Sequence, residues 1–115
     1  PGYFGPDVAA NGTVSLPSIS AAELAERLPR NGLTVLDVRG ATEYAELHVE
    51  GARNMPVGHM PRFLDQLSTD QPLITLCRSG YRAQVAGSFL RSKGFTNVQV
   101  MGEPFTEWKG ALPTV

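Results

Sequence analysis

Leu73-Ile74-Thr75-Leu76-Cys77-Arg78-Ser79-Gly80-Tyr81-Arg82 is the stretch on which the reading of this chain turns. Its first four residues, bounded by Pro72, form the short apolar run expected of a central strand covered on both faces. From Arg82 to Lys93, Val85, Ala86, Phe89 and Leu90 recur at helical spacing, and Gly94 follows as a left-handed cap. Val98-Gln99-Val100-Met101, ended by Gly102, is a second strand. Strand, helix and strand joined by short loops make a right-handed crossover unit, so the two strands are expected to be parallel.

Working outward, Leu33 to Val38 is another nearly continuous apolar and β-branched run, entered through an Asn31-Gly32 turn. Ser20-Ala21-Ala22-Glu23 is a capping box that opens a helix with Ala22, Leu24, Ala25 and Leu28 as its apolar positions, stopping by Pro29. Pro61, pre-set for a first helical turn, marks a further helix from Pro61 to Leu67. Ile19 and Ala52 to Asn54 read as short strands. The pattern is three-layer α/β. Residues 15–115 form one domain, and Pro1 to Val14, with three Gly and two Pro and no amphipathic period, form an N-terminal arm or interdomain linker.

Composition bounds the function. The chain has 115 residues, 42% hydrophobic and 18% charged, which fits one domain with a core of its own. Ten basic and eleven acidic residues give a net charge of -1, with no nucleic-acid footprint and no anionic-membrane footprint. No apolar run approaches the ~20 residues of a membrane span. A single cysteine excludes an internal disulfide and a Cys-rich zinc site, and with His48 and His59 distant in sequence no metal is expected. A free reactive thiol suits the bacterial cytoplasm, which is the expected location.

Cys77 falls at the carboxyl end of a buried strand, the edge where open parallel sheets bind ligands. Gly80 permits a backbone turn other residues resist, so successive N–H groups can converge on one point. The helix N-terminus adds its positive end, and Arg78 and Arg82 add full charges. Each favours thiolate over thiol and would hold an anionic sulfur adduct. The plain alternative is a small buried hydrophobe, but two guanidinium groups around an inert core thiol would be a costly arrangement. A Cys–His pair with His48 or His59 is a further alternative. Trp108 reads as a core anchor.

At these residues the chain resembles a rhodanese domain. Leu36-Asp37-Val38-Arg39, with Glu43-Tyr44, His48-Val49, Gly51-Ala52 and Asn54-Met55-Pro56, is similar to the family signature near the first central strand. Cys77-Arg78-Ser79-Gly80-Tyr81-Arg82-Ala83 resembles the active-site loop, and Met101-Gly102, Trp108, Gly110 and Leu112-Pro113 the C-terminal motif. Leu47 and Glu103 depart from the pattern, each standing where the family commonly has Gly.

The resemblance implies a five-stranded parallel sheet flanked by helices. It implies that Cys77 accepts a sulfane sulfur as a persulfide and passes it on. The backbone N–H groups of Arg78, Ser79, Gly80, Tyr81 and Arg82 would hold that persulfide. Arg78 and Arg82 would recruit anionic donors, Tyr81 would shape the mouth, and Asp37 and Arg39 would support the site structurally. Donors would be thiosulfate or glutathione persulfide, and acceptors glutathione, sulfite or cyanide. Phosphatase and arsenate-reductase relatives carry five residues between Cys and the loop Arg; here there are four, Arg78 to Tyr81. The other alternative is a non-catalytic regulatory module of the same family, which typically lacks the cysteine.

Pro1-Gly2-Tyr3-Phe4-Gly5-Pro6, followed by Asn11-Gly12, is also similar to the segment that ends the dioxygenase part of persulfide dioxygenase–rhodanese fusions. That resemblance implies a covalently linked or docking persulfide-generating domain as partner. Iron would belong to such an upstream domain, and no cofactor is expected in this one.

Overall fold

A computed structural model describes residues 16–28 and 33–115. The expected arm and the Asn31-Gly32 turn lie outside those residues. Five strands form one sheet: β1 (Ser18–Ile19), β2 (Thr34–Asp37), β3 (Arg53–Asn54), β4 (Leu73–Leu76) and β5 (Val98–Met101). Their order across the sheet is β1-β5-β4-β2-β3, and every pairing is parallel. The fold is therefore α/β with a five-stranded parallel sheet flanked by helices, as expected.

The period-two alternation of the strands divides the core into two layers. Leu36, Val38, Leu73, Cys77 and Val100 pack on one face with Ala83, Ala86 and Leu90 of α3 (Tyr81–Ser92). Val35, Ile74, Leu76 and Met101 pack on the other face with Leu24 of α1 (Ala21–Arg27) and Trp108 of α4 (Phe105–Ala111). Gly87 lets α3 approach closely; a Cβ there would lie 2.6 Å from Leu16 Cδ1 and 3.3 Å from Val100 Cγ2.

Local signals place the helix ends. Ser20 Oγ accepts from Glu23 N at 3.1 Å while Glu23 Oε1 accepts from Ser20 N, the reciprocal box that starts α1. Gly94, at φ +97°, ends the α3 segment: its N–H donates to Arg91 O and that of Phe95 to Leu90 O. These are the paired bonds of a Schellman cap, completed by buried Phe95.

One expectation is corrected, and the structure adds to two others. The helix expected from Pro61 to Leu67 is a 3₁₀ segment, Val57–Gln66, with Pro61 inside it. Proline has no N–H to give residue i−4 and its ring collides with that carbonyl, so the tighter winding replaces an α-helix. Two short helices, α2 (Ala41–Glu46) and α4, occupy segments read only as motif residues. The departures at Leu47 and Glu103 leave no strained turn: Leu47 is extended at φ -167°, and Glu103 Oε1 accepts from Ala21 N at 2.7 Å at the start of α1.

Strand order places the site. From β2 the chain moves outward to β3, whereas from β4 it moves the opposite way to β5. The loops after β2 and β4 therefore diverge, leaving a crevice at the carboxyl ends of two central strands. Asp37 pairs in register with Leu76, so Val38 and Cys77 leave the sheet side by side.

Candidate active site

Cys77 lies at the carboxyl end of β4, beside this switch in strand direction, and is 1% exposed. Its Sγ accepts from Gly80 N at 3.0 Å and from Ala83 N at 3.3 Å. Gly80 makes this possible: at φ +97° it occupies the left-handed region, which turns the chain that follows into α3, so that N–H groups from both sides of the turn face the sulfur. Within the stretch Arg78 to Arg82, where the persulfide cradle is expected, Gly80 supplies the N–H that contacts the Cys77 sulfur itself. Ala83, one residue beyond the expected stretch, supplies the second N–H. It belongs to the first turn of α3, where backbone donors have no partner inside the helix.

The residues around the sulfur divide by exposure. Arg78, Ser79 and Tyr81 are on the surface, Tyr81 74% exposed at the rim. Arg82 is bound: its Nη1 and Nη2 donate to Glu43 Oε1 and Oε2 at 2.8 and 3.2 Å. Glu43 Oε1 also accepts from Gly40 N at 3.1 Å, and Arg78 Nε stands 3.9 Å from Oε2. Glu43 entered the sequence reading only as a signature residue, and its contact with the cysteine loop, 39 residues away, was missed.

This ion pair titrates. The Arg82 guanidinium, then the Gly40 N–H and the charges of Arg82 and Arg39, hold the Glu43 carboxyl down from 4.5 to about 2 against the opposing effect of burial. Glu43 in turn pushes the Arg82 guanidinium up, with smaller contributions from Cys77 and Asp37. A depressed acid stabilises the fold fully above its unfolded pKa and loses that contribution as the pH falls through its folded pKa. The stability advantage of the parent over Glu43→Gln is therefore expected to be constant above pH 4.5, to shrink below it and to vanish near pH 2. Urea melts of both proteins across that range measure it.

Asp37 and Arg39 lie beneath the loop, buried and paired. Arg39 Nε donates to Oδ1 and Oδ2 at 2.9 and 3.1 Å, and Nη2 to Oδ2 at 2.7 Å. Arg39 Nη2 also donates to Leu47 O at 2.6 Å, and Asn54 Nδ2 binds the carbonyls of Asp37 and Arg39. Above Arg39 lie the rings of Phe105 and Trp108, 5.6 and 5.4 Å from the guanidinium carbon. Trp108 Nε1 donates to Cys77 O at 3.1 Å, and Phe105 N to Arg78 O at 2.7 Å. The core anchor expected at Trp108 is thus also a strut of the loop, which its apolar surroundings did not signal.

Neither histidine meets the sulfur. His48 Nδ1 lies 2.7 Å from Tyr44 O with its ring stacked on Tyr44 at 3.7 Å, while His59 is exposed. Tyr44 spends its hydroxyl on Ala52 O. Among the described residues no group of three or more His, Cys, Asp or Glu is placed to hold a metal, and no helix is long and apolar enough to cross a membrane.

Comparison with known proteins agrees with this geometry. The chain is 31% identical over 93 residues to the thiosulfate sulfurtransferase GlpE of Pseudoalteromonas translucida, covering 81% of this chain and 89% of that one. It superposes on the solution structure of a rhodanese-like domain from Anabaena with a TM-score of 0.80 at 28% identity, covering 88% of this chain and 80% of that one. A rhodanese-related protein of Thermoplasma volcanium gives 0.74 at 29%, with 86% and 97% covered. The family model for the rhodanese-like domain matches residues 20–111, spanning the cysteine loop, the Asp37–Arg39 pair beneath it and the Trp108 strut, and the chain belongs to the rhodanese-like family.

Proposed function

We propose that the chain is a sulfurtransferase that takes a sulfane sulfur from an anionic donor, thiosulfate or glutathione persulfide, onto Cys77. It then delivers that sulfur to a thiophilic acceptor: glutathione, sulfite or cyanide. The observation that carries this is the Cys77 sulfur held between two backbone N–H donors at the carboxyl end of a central parallel strand, in a loop that carries two arginines paired to Glu43. Donors fixed in this way stabilise charge on sulfur without reorganising during the reaction. The relatives named thiosulfate sulfurtransferase support the same reading.

The chemistry is two displacements on sulfur. The Cys77 thiolate attacks the outer sulfur of thiosulfate; a new S–S bond forms, the old one breaks, and sulfite leaves with the electron pair. The acceptor then attacks the outer sulfur of the Cys77 persulfide, takes it, and returns the Cys77 thiolate. No electrons are gained or lost overall, so no redox cofactor enters. At 1% exposure Cys77 suits a slender terminal sulfur better than a bulky electrophile. A nucleophile that works as a free thiolate suits a reducing compartment, and a cytoplasmic location belongs to the proposal. So does a linked or docking domain that generates persulfide.

Thiocyanate formation from thiosulfate and cyanide tests the reading. The expected result is turnover with parallel double-reciprocal lines, the mark of a substituted enzyme. Absence of turnover with every donor would favour a regulatory module, and hydrolysis of a chromogenic phosphate ester a phosphatase.

A further inference from the structure

The two arginines of the catalytic loop are equivalent in sequence but not in space. Arg82 has both terminal nitrogens committed to Glu43, which is itself fixed by Gly40 N. Arg78 is 58% exposed, and its approach to Glu43 is a single long one of 3.9 Å. Its guanidinium rests 4.7 Å over the Phe105 ring, while Phe105 N holds the Arg78 carbonyl. An aromatic face steadies a guanidinium without consuming its N–H donors, which leaves them for an anion.

On the sulfurtransferase reading above, we propose that Arg78 recognises the compact anionic group of the sulfur donor and that Glu43 is a positioning residue which withholds Arg82 from that task. Phe105 is the platform on which Arg78 waits. Of the two loop arginines, Arg78 thus presents the more available guanidinium, and Glu43 offsets the charge of Arg82. The donor class this fits carries its negative charge next to the sulfane sulfur, as the sulfonate of thiosulfate does.

The test is the KM for thiosulfate, over a range of ionic strength, of the parent, Arg78→Ala, Glu43→Gln and the double variant. Arg78→Ala is expected to raise KM about tenfold or more, as loss of a charge-assisted hydrogen bond does, and to flatten its salt dependence. Glu43→Gln removes the opposing charge and frees Arg82, so KM is expected to fall about three- to fivefold, the scale of one exposed charge interaction. In the double variant the released Arg82 takes over, and KM returns toward the parent value. These effects fall on KM more than on kcat. Loss of the ion pair lowers the melting temperature on either reading, whereas a merely structural Glu43 would lower kcat and leave KM and its salt dependence unmoved.

Calorimetric titration of thiosulfate into Cys77→Ser, with and without the same substitutions, reads recognition without turnover. Parental KM, affinity and salt dependence in Arg78→Ala, or no gain in Glu43→Gln, would overturn the assignment while leaving the sulfurtransferase reading intact. A parent that binds thiosulfate through Arg78 but releases no sulfite would overturn that reading alone.

Discussion

Sulfite release from thiosulfate is expected to fall by at least ~10³-fold in Cys77→Ser, while the melting temperature stays close to that of the parent. The two observables separate because the residue does two things. Structurally it fills a small buried site and accepts from Gly80 N and Ala83 N, and a serine oxygen accepts from the same donors. Chemically it must attack a sulfur and then leave from one. A serine hydroxyl stays protonated at neutral pH and gives no stable adduct with sulfane sulfur, so both halves of the cycle fail. Activity assays and thermal melts on the same preparations measure both. Appreciable sulfur transfer by folded Cys77→Ser would sink the assignment of the nucleophile.

Arg39→Ala should produce the largest loss of stability, about 3–5 kcal/mol, because it leaves the Asp37 carboxylate buried without its partner. Both side chains are almost completely buried, Arg39 at 2% and Asp37 at 0% exposure. The substitution also removes the bond to Leu47 O and the cation under Phe105 and Trp108. Since Trp108 binds Cys77 O and Phe105 binds Arg78 O, disorder beneath the rings reaches the loop, and activity is expected to fall along with stability. Joint replacement by apolar residues, Asp37→Leu with Arg39→Met, is expected to cost much less because no charge is stranded. Denaturant melts of both variants test this. An Arg39→Ala protein within about 1 kcal/mol of the parent would mean that the pair contributes little.

The parts of the molecule legible in sequence were those fixed by local chemistry. β4 and β5 begin and end where their apolar runs do, and the Ser20–Glu23 box and Gly94 set helix ends through bonds spanning only a few residues. The cysteine loop was legible for the same reason, since strand, cysteine, glycine and helix are contiguous. Contacts between distant segments were not. Glu43 meets Arg82 only because α2 packs beside the β4 loop, and Trp108 reaches Cys77 O across 31 residues. The short helices α2 and α4 have Gly40 and Pro104 as N-caps, neither of which makes a side-chain capping bond, so they lack the Ser, Thr, Asp or Asn start signal, and α2 keeps only the Glu43 half of a capping box. In the 3₁₀ segment, Pro61 signalled helical winding but neither its start, which is at Val57, nor its type.

The central claim is that Cys77 carries the travelling sulfur, and intact-mass spectrometry tests it most directly. The reduced protein is weighed before and after thiosulfate, and again after glutathione or cyanide. The account predicts a gain of the mass of one sulfur atom, located on the Cys77 peptide, which disappears when acceptor is added. An unchanged mass with thiosulfate and with glutathione persulfide, or an added sulfur that no acceptor removes, would contradict it.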